Sequence, residues 1–220
     1  MTEMNKNTLS SELTKEKLVN EGIKQFALYG INGVRTRQLA ESAGVNQSAI
    51  PYHMGGKLGV YAAVIRKIAT DLAQMSNVST FDVQFEELKG QADYEAVQVE
   101  SLLRLLMKGL GLALLSPEHE YYSILILREQ LEPTENADII FKEFIEPFHS
   151  RLTLLIQFIT QEEQHSAIIS AHALIGQILG FVIAKKSLLK RLNQDRIDAH
   201  LLDEILEQVS LFACNAIIPR

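Results

Sequence analysis

The chain has 220 residues, 47% hydrophobic and 22% charged, an ordinary soluble composition with room for one large domain or two small ones. Cys214 is the only cysteine, which excludes an internal disulfide and a cysteine-rich zinc site. The net charge of -6 is unevenly spread: residues 1–70 carry 9 Lys/Arg against 5 Asp/Glu, and residues 71–220 carry 12 against 22. A basic N-terminal part on an acidic body fits a chain that offers phosphate one face only.

The polar opening "MTEMNKNTLSSELTKEK" lacks a signal-peptide pattern, so a cytoplasmic location is the simplest expectation. The longest apolar run, Ala173 to Ala184, is broken by Gln177 and is too short to cross a bilayer, so no membrane partner is expected. Period-two alternation is nowhere sustained, and the predicted class is all-α with about nine helices.

Residues 1–13 read as a flexible arm. The first helix is expected to start at Thr14, capped by its hydroxyl and stapled by Leu13 and Leu18, with an apolar stripe of Val19, Ile23, Phe26 and Ala27. Gly30 and the Asn32-Gly33 pair end it. A second helix opens at Thr36 and stops at Gly44, and a very short third spans about Gln47 to His53. A fourth runs from Lys57 through Val60, Val64, Ile65 and Ile68 to about Ala73. Residues 76–92 lose periodicity, turn acidic and read as a loop. Helices follow at roughly 93–115, 117–131, 136–160, 164–192 and 198–216.

The second and third helices, joined by Gly44-Val45-Asn46, have the helix-turn-helix pattern, with Ala40, Val45 and Ile50 as buried pins. Thr36 and Arg37 lie at a helix start suited to a phosphate. Asn46, Gln47 and Ser48 lie where a third helix would enter the major groove, and glutamine can pair with both acceptor and donor edges of adenine. Tyr52, His53 and Lys57 are placed to donate to backbone oxygens. Each has a plainer reading: Thr36 as a cap, Tyr52 as core, His53 as a surface polar group.

Residues 14–67 resemble the DNA-binding domain of TetR-family transcriptional regulators. The resemblance is carried by Phe26 and Gly30, then Thr36, Leu39, Ala40, Ala43, Gly44 and Val45, then Tyr52, His53, Gly55, Gly56 and Lys57. The wording "AIPYH" and "GGK" with a later "GQILGF" is similar to the subgroup of CecR-type regulators. Met54 stands where the family has Phe, and Leu58 where an acidic residue is common. The resemblance implies a DNA-binding domain at 14–60, a connecting helix at 61–75 and a ligand-binding and dimerisation domain at 93–220. It also implies operator DNA, a small-molecule effector and a second copy of the chain as partners, with neither cofactor nor catalysis.

For the implied dimer seam, Gly176, Gly180 and Ala184 recur at four-residue spacing beside Phe181, and the last helix carries Leu206 and Val209 in an apolar stripe. Intramolecular core is the alternative for both. For the implied pocket the candidates are Met107, Leu110, Tyr121, Tyr122, Leu125, Arg128 and Phe144. Arg128 and the neighbouring Glu129 fall in an apolar run, so one of them is expected to face inward, with solvent exposure as the alternative.

Other chemistries fit less well. "MGGKLG" lacks the Ser/Thr that a phosphate-binding loop needs after its lysine. Glu-x-x-His occurs at Glu146/His149 and at Glu162/His165, but a di-metal bundle needs both motifs in the core with further glutamates, and Pro147 interrupts the first. A ligand-binding helical protein without DNA binding is less natural while Thr36, Tyr52 and Lys57 are present.

Overall fold

A computed structural model describes residues 3–93 and 95–218, with side chains from Leu9 onward. Among the described residues every regular element is helical: α1 (Glu3–Gly33), α2 (Thr36–Ala43), α3 (Ala49–Met54), α4 (Lys57–Met75), α5 (Val78–Lys89) and α6 (Ala96–Leu115) come first. A 3-10 turn at Pro117–His119 leads into α7 (Glu120–Leu131) and α8 (Ala137–Ile140). A π-helical segment, Phe141–Ile145, then runs into α9 (Glu146–Thr160), followed by α10 (Gln164–Ile183), α11 (Lys185–Leu192) and α12 (Ala199–Ile217).

The chain divides into two units. The first joins Met1–Ala69 to Ile124–Ile140, and the second joins Thr70–Ser123 to Phe141–Arg220. The sequence reading assigned residues 124–140 to the ligand-binding part, and the contacts assign them to the unit of the helix-turn-helix. The reason is a set of buried polar bonds. Glu129 on α7 is 2% exposed and accepts from the Tyr61 hydroxyl at 2.5 Å, from Thr134 N at 3.1 Å and from Thr134 Oγ1 at 3.0 Å. The Arg128 guanidinium donates to the Ala27 carbonyl at 3.2 Å and lies against Gly30, where α1 kinks out of helical geometry. A buried charge without such partners is costly, so these residues fix the end of α7 against α1 and α4. Phe26 and Tyr61 meet edge to face at 5.0 Å beside them, over a core that includes Leu18, Leu39, Ile50, Val64 and Ile68.

Three elements besides α3 differ from expectation. The first helix starts at Glu3 rather than Thr14, so part of the expected arm is helical. Thr14 is no cap: its hydroxyl donates to the Ser10 carbonyl at 2.8 Å within a helix already running, and Leu13 is exposed rather than stapled to Leu18. The expected loop at 76–92 contains α5, whose Phe81, Phe85 and Leu88 are buried at helical spacing, with the first two rings stacked at 5.1 Å. Acidic residues on its outer face mask this stripe. The helix expected over 164–192 breaks at Ala184, where the backbone leaves helical geometry between α10 and α11.

In the second unit α6 is the central element and packs along α12, with α5, α9 and α10 also against it. Gly111 faces Leu206 so closely that a Cβ there would lie 2.2 Å from the leucine Cδ2. Glu207 on α12 pairs with Lys108 and Arg104 of α6 along the edge of this contact.

Candidate nucleic-acid interface

The turn between α2 and α3 is built as the sequence implies. Gly44 caps α2 at φ 64°, in the left-handed region that glycine adopts without a side-chain penalty, and its N–H returns to the end of the helix. Val45 N donates to the Ala40 carbonyl at 3.0 Å. Ala40 and Ile50 are buried and Val45 is half-buried. Thr36 is the first residue of α2, and the preceding Arg35 occupies the cap position, with no side-chain cap bond at this end.

α3 is shorter than expected and starts at Ala49, so Gln47 and Ser48 sit in the turn ahead of it. The Asn46 side-chain carbonyl accepts from both Ser48 N and Ser48 Oγ at 2.9 Å, organising that turn. Its amide group and the exposed Gln47 remain available as hydrogen-bonding groups. Thr36, Asn46, Gln47 and Ser48 line one open concavity of about 560 Å³ together with Ile50, Pro51 and Gly56. The first turn of α2 and the entry to α3 therefore face the same space. Pro51 is the third residue of α3, where its missing N–H is one of the groups a helix start leaves unbonded anyway. The Gln47 carbonyl is taken instead by Ile50 N at 3.2 Å.

Arg37, Tyr52, His53 and Lys57 lie outside that lining. Arg37 is exposed and bonded to Glu41 at 2.8 Å, a partner that raises its guanidinium pKa above the ordinary value. Tyr52 is 83% exposed, which removes the core reading, and its ring meets His53 edge to face at 4.6 Å. His53 is half-buried, with Nδ1 3.1 Å from Ser11 Oγ on α1. Lys57 donates to the Val34 carbonyl at 3.1 Å, tying the start of α4 to the residues before α2. One ammonium donor is thus engaged in holding the fold, and the others remain available.

The sequence reading missed Gly59. A Cβ at this position would lie 1.5 Å from the Met54 carbonyl oxygen, so α3 and α4 can join at this angle only if residue 59 has no side chain. A glycine two positions after "GGK" was the available signal.

The pocket candidates divide between the two units. Leu125 and Arg128 belong to the first unit, and Met107, Leu110, Tyr121, Tyr122 and Phe144 to the second. Met107, Leu110 and Leu125 are packed core, and Arg128 serves α1. Tyr122 donates to Asp71 at 2.6 Å; burial first, then this bond, raise its phenol pKa above the ordinary range. Phe144 lines a groove that also holds the Arg151–Asp82 ion pair at 2.9 Å. A different groove of about 450 Å³ lies along α9 and the start of α10, walled by Phe141, Leu154 and Ile168 with Glu146, His149 and Gln157 among them. His149 meets Thr153 Oγ1 at 3.3 Å and stacks on His172 at 5.8 Å; burial and then His172 lower its pKa.

The seam candidates divide as well. A Cβ at Gly176 or Gly180 would meet nothing within 4 Å, Ala184 is exposed and Phe181 half-buried. Leu206 and Val209 are instead buried within the chain, Leu206 against Gly111 of α6. The outward side of α12 carries Leu211 and Phe212, the latter 58% exposed. α10 is long and apolar enough to cross a membrane by length and composition, against the sequence expectation, and 22% of its apolar window is buried in the chain.

The profile of the family described as "HTH-type transcriptional dual regulator CecR, C-terminal domain" matches residues 99–217. The HTH-type transcriptional dual regulator CecR of Shigella flexneri is 31% identical over 205 residues, covering 92% of this chain and 91% of that protein. A TetR-family transcriptional regulator of Mesorhizobium loti superposes over 94% of this chain and 96% of its own, at a TM-score of 0.60 and 14% identity. A transcriptional regulator of Rhodococcus sp. Rha1 does so over 93% and 99%, at 0.63 and 17%, and at such identities the two likenesses speak to the fold alone. With the helix-turn-helix in place and most of its length shared with CecR, the chain belongs to the TetR family of transcriptional regulators, in the CecR branch.

Proposed function

We propose that the protein is a sequence-specific DNA-binding transcriptional regulator that acts inside the cell as a homodimer. In this reading it is a repressor whose operator affinity falls when a small molecule binds. The observation that carries the DNA-binding reading is the single concavity that gathers Thr36, Asn46, Gln47 and Ser48 at the helix-turn-helix. Thr36 and Arg37 meet phosphate, Asn46 to Ser48 read base edges, and Tyr52, His53 and Lys57 hold the backbone. A dual role is the second reading, favoured by the similarity to a protein named a dual regulator.

One such head covers one half-site, and pairing sets two heads about 34–36 Å apart, one turn of DNA. The open face of α10 at Gly176, Gly180 and Ala184, with Phe212 of α12, supports pairing with a second copy, which would cover this apolar surface. The groove along α9 has the volume and mixed lining of a small-molecule site, and we place the effector there. Selection of bound duplexes from a random pool, followed by gel shifts at two salt concentrations, tests the central reading. A consensus is expected, and binding with no sequence preference defeats it.

A further inference from the structure

α1 starts well ahead of the family-like segment, and this added length carries Ser11. Its Oγ lies 3.1 Å from Nδ1 of His53, across 42 residues of sequence. The His53 ring is thus held on two sides, by Ser11 at Nδ1 and by the edge-on ring of Tyr52 at 4.6 Å. Among the described residues its Nε2 has no hydrogen-bond partner.

We propose that Ser11 is a positioning residue for DNA binding, which orients the His53 imidazole so that Nε2–H is presented to a backbone phosphate. The inference rests on the reading that His53 meets DNA. The chemistry needs no fixed charge state. A serine hydroxyl rotates freely, so it donates to a bare Nδ1 in the neutral ring and accepts from Nδ1–H in the imidazolium. In both forms Nε2 carries the proton. A phosphate oxygen selects these forms, and the protonated ring adds a charge-assisted bond. Without Ser11 the ring is free to turn about its Cβ–Cγ bond, and the contact is made only by the fraction of rings that point correctly. The loss expected is about fivefold in affinity, the scale of one net hydrogen bond.

A phosphate contact is independent of sequence, so the probe is a fluorescein-labelled mixed-sequence duplex at low ionic strength, titrated with full-length protein by anisotropy. The variants are Ser11→Ala, Ser11→Thr, His53→Ala and the Ser11→Ala/His53→Ala pair, each with a thermal melt. Ser11→Ala should weaken binding about fivefold at an unchanged melting temperature, and Ser11→Thr should retain affinity. His53→Ala should weaken binding at least as much, and the double variant should bind no worse than His53→Ala. Full affinity for Ser11→Ala beside a weakened His53→Ala overturns the inference and leaves the His53 contact standing. A Ser11→Ala loss that persists undiminished in the His53→Ala background also overturns it, as does a loss that follows the melting temperature. Full affinity for His53→Ala overturns the underlying reading of His53, and Ser11 with it.

Discussion

The Tyr61 hydroxyl of α4 donates to the Glu129 carboxylate of α7 at 2.5 Å in the interior of the unit that carries the helix-turn-helix, and Thr134 completes the shell of the carboxylate. Tyr61→Phe removes one donor from a buried anion while preserving the ring that packs on Phe26. The expected loss is about 1.5–3 kcal/mol in urea unfolding at neutral pH, the range for a bond to a charged group.

The same pair gives a dependence on alkaline pH. Burial, and then the bond to Glu129, raise the Tyr61 pKa well above the ordinary tyrosine value. The unfolded chain releases this proton near pH ~10 while the folded chain still holds it, so the folded state binds more protons and stability falls as pH rises. The contribution is complete below that value and is lost above it. Urea midpoints from pH 9 to 11 should fall more steeply for the native protein than for Tyr61→Phe. Parallel curves would show that Tyr61 is not the group responsible.

Gly59→Ala places a methyl group on the Met54 carbonyl oxygen, and the backbone junction of α3 and α4 must open to admit it. A loss of roughly 1–3 kcal/mol is expected in thermal melts, the usual cost of overpacking, together with weaker DNA binding. A melt matching that of the native protein would mean that the junction yields without strain.

Exposed Tyr52 and tethered Lys57 should separate in their effects. Tyr52→Ala should weaken operator binding at an unchanged melting temperature, because the ring is 83% exposed and packs on no core residue, only edge-on against the neighbouring His53. Lys57→Ala loses the bond to Val34 as well as a cation, so it should lower stability by about 1 kcal/mol and reduce the salt dependence of binding by about one counterion. Pro51→Asn should change DNA affinity more than melting temperature, since the N–H that proline lacks is one a helix start leaves unbonded anyway. Gel shifts across a salt series, read beside melts, check all three.

Phe212→Glu and Gly180→Arg place charge on the open faces of α12 and α10. Light scattering at micromolar concentration should report a dimer for the native chain and monomers for the variants, with operator affinity reduced in parallel. A native monomer would remove the pairing proposal.

The sequence made the helix-turn-helix legible because local chemistry decides it: Gly44 at a left-handed cap, small Ala40 beneath the crossing, Ile50 in the core. It misplaced what depends on distant partners. Arg128 and Glu129 sit in an apolar run, and nothing nearby reveals that one reaches the Ala27 carbonyl and the other the Tyr61 hydroxyl. Leu206 and Val209 form an apolar stripe that suits a dimer seam or a core equally well. The close approach of Gly111 resolves the choice for Leu206. α5 was hidden because its acidic outer face outweighed three well-spaced apolar residues.

The docking of α7's last turns beside α1 and α4 bears on how such regulators exchange parts. A head cut out at the end of α4 would leave the Tyr61 hydroxyl and the Ala27 carbonyl without their partners. The part that reads DNA is therefore not a detachable cassette at the front of the gene. A chimera built with the head of a relative should fold well only if residues 124–140 travel with it, and natural recombination that separates the two stretches should be selected against.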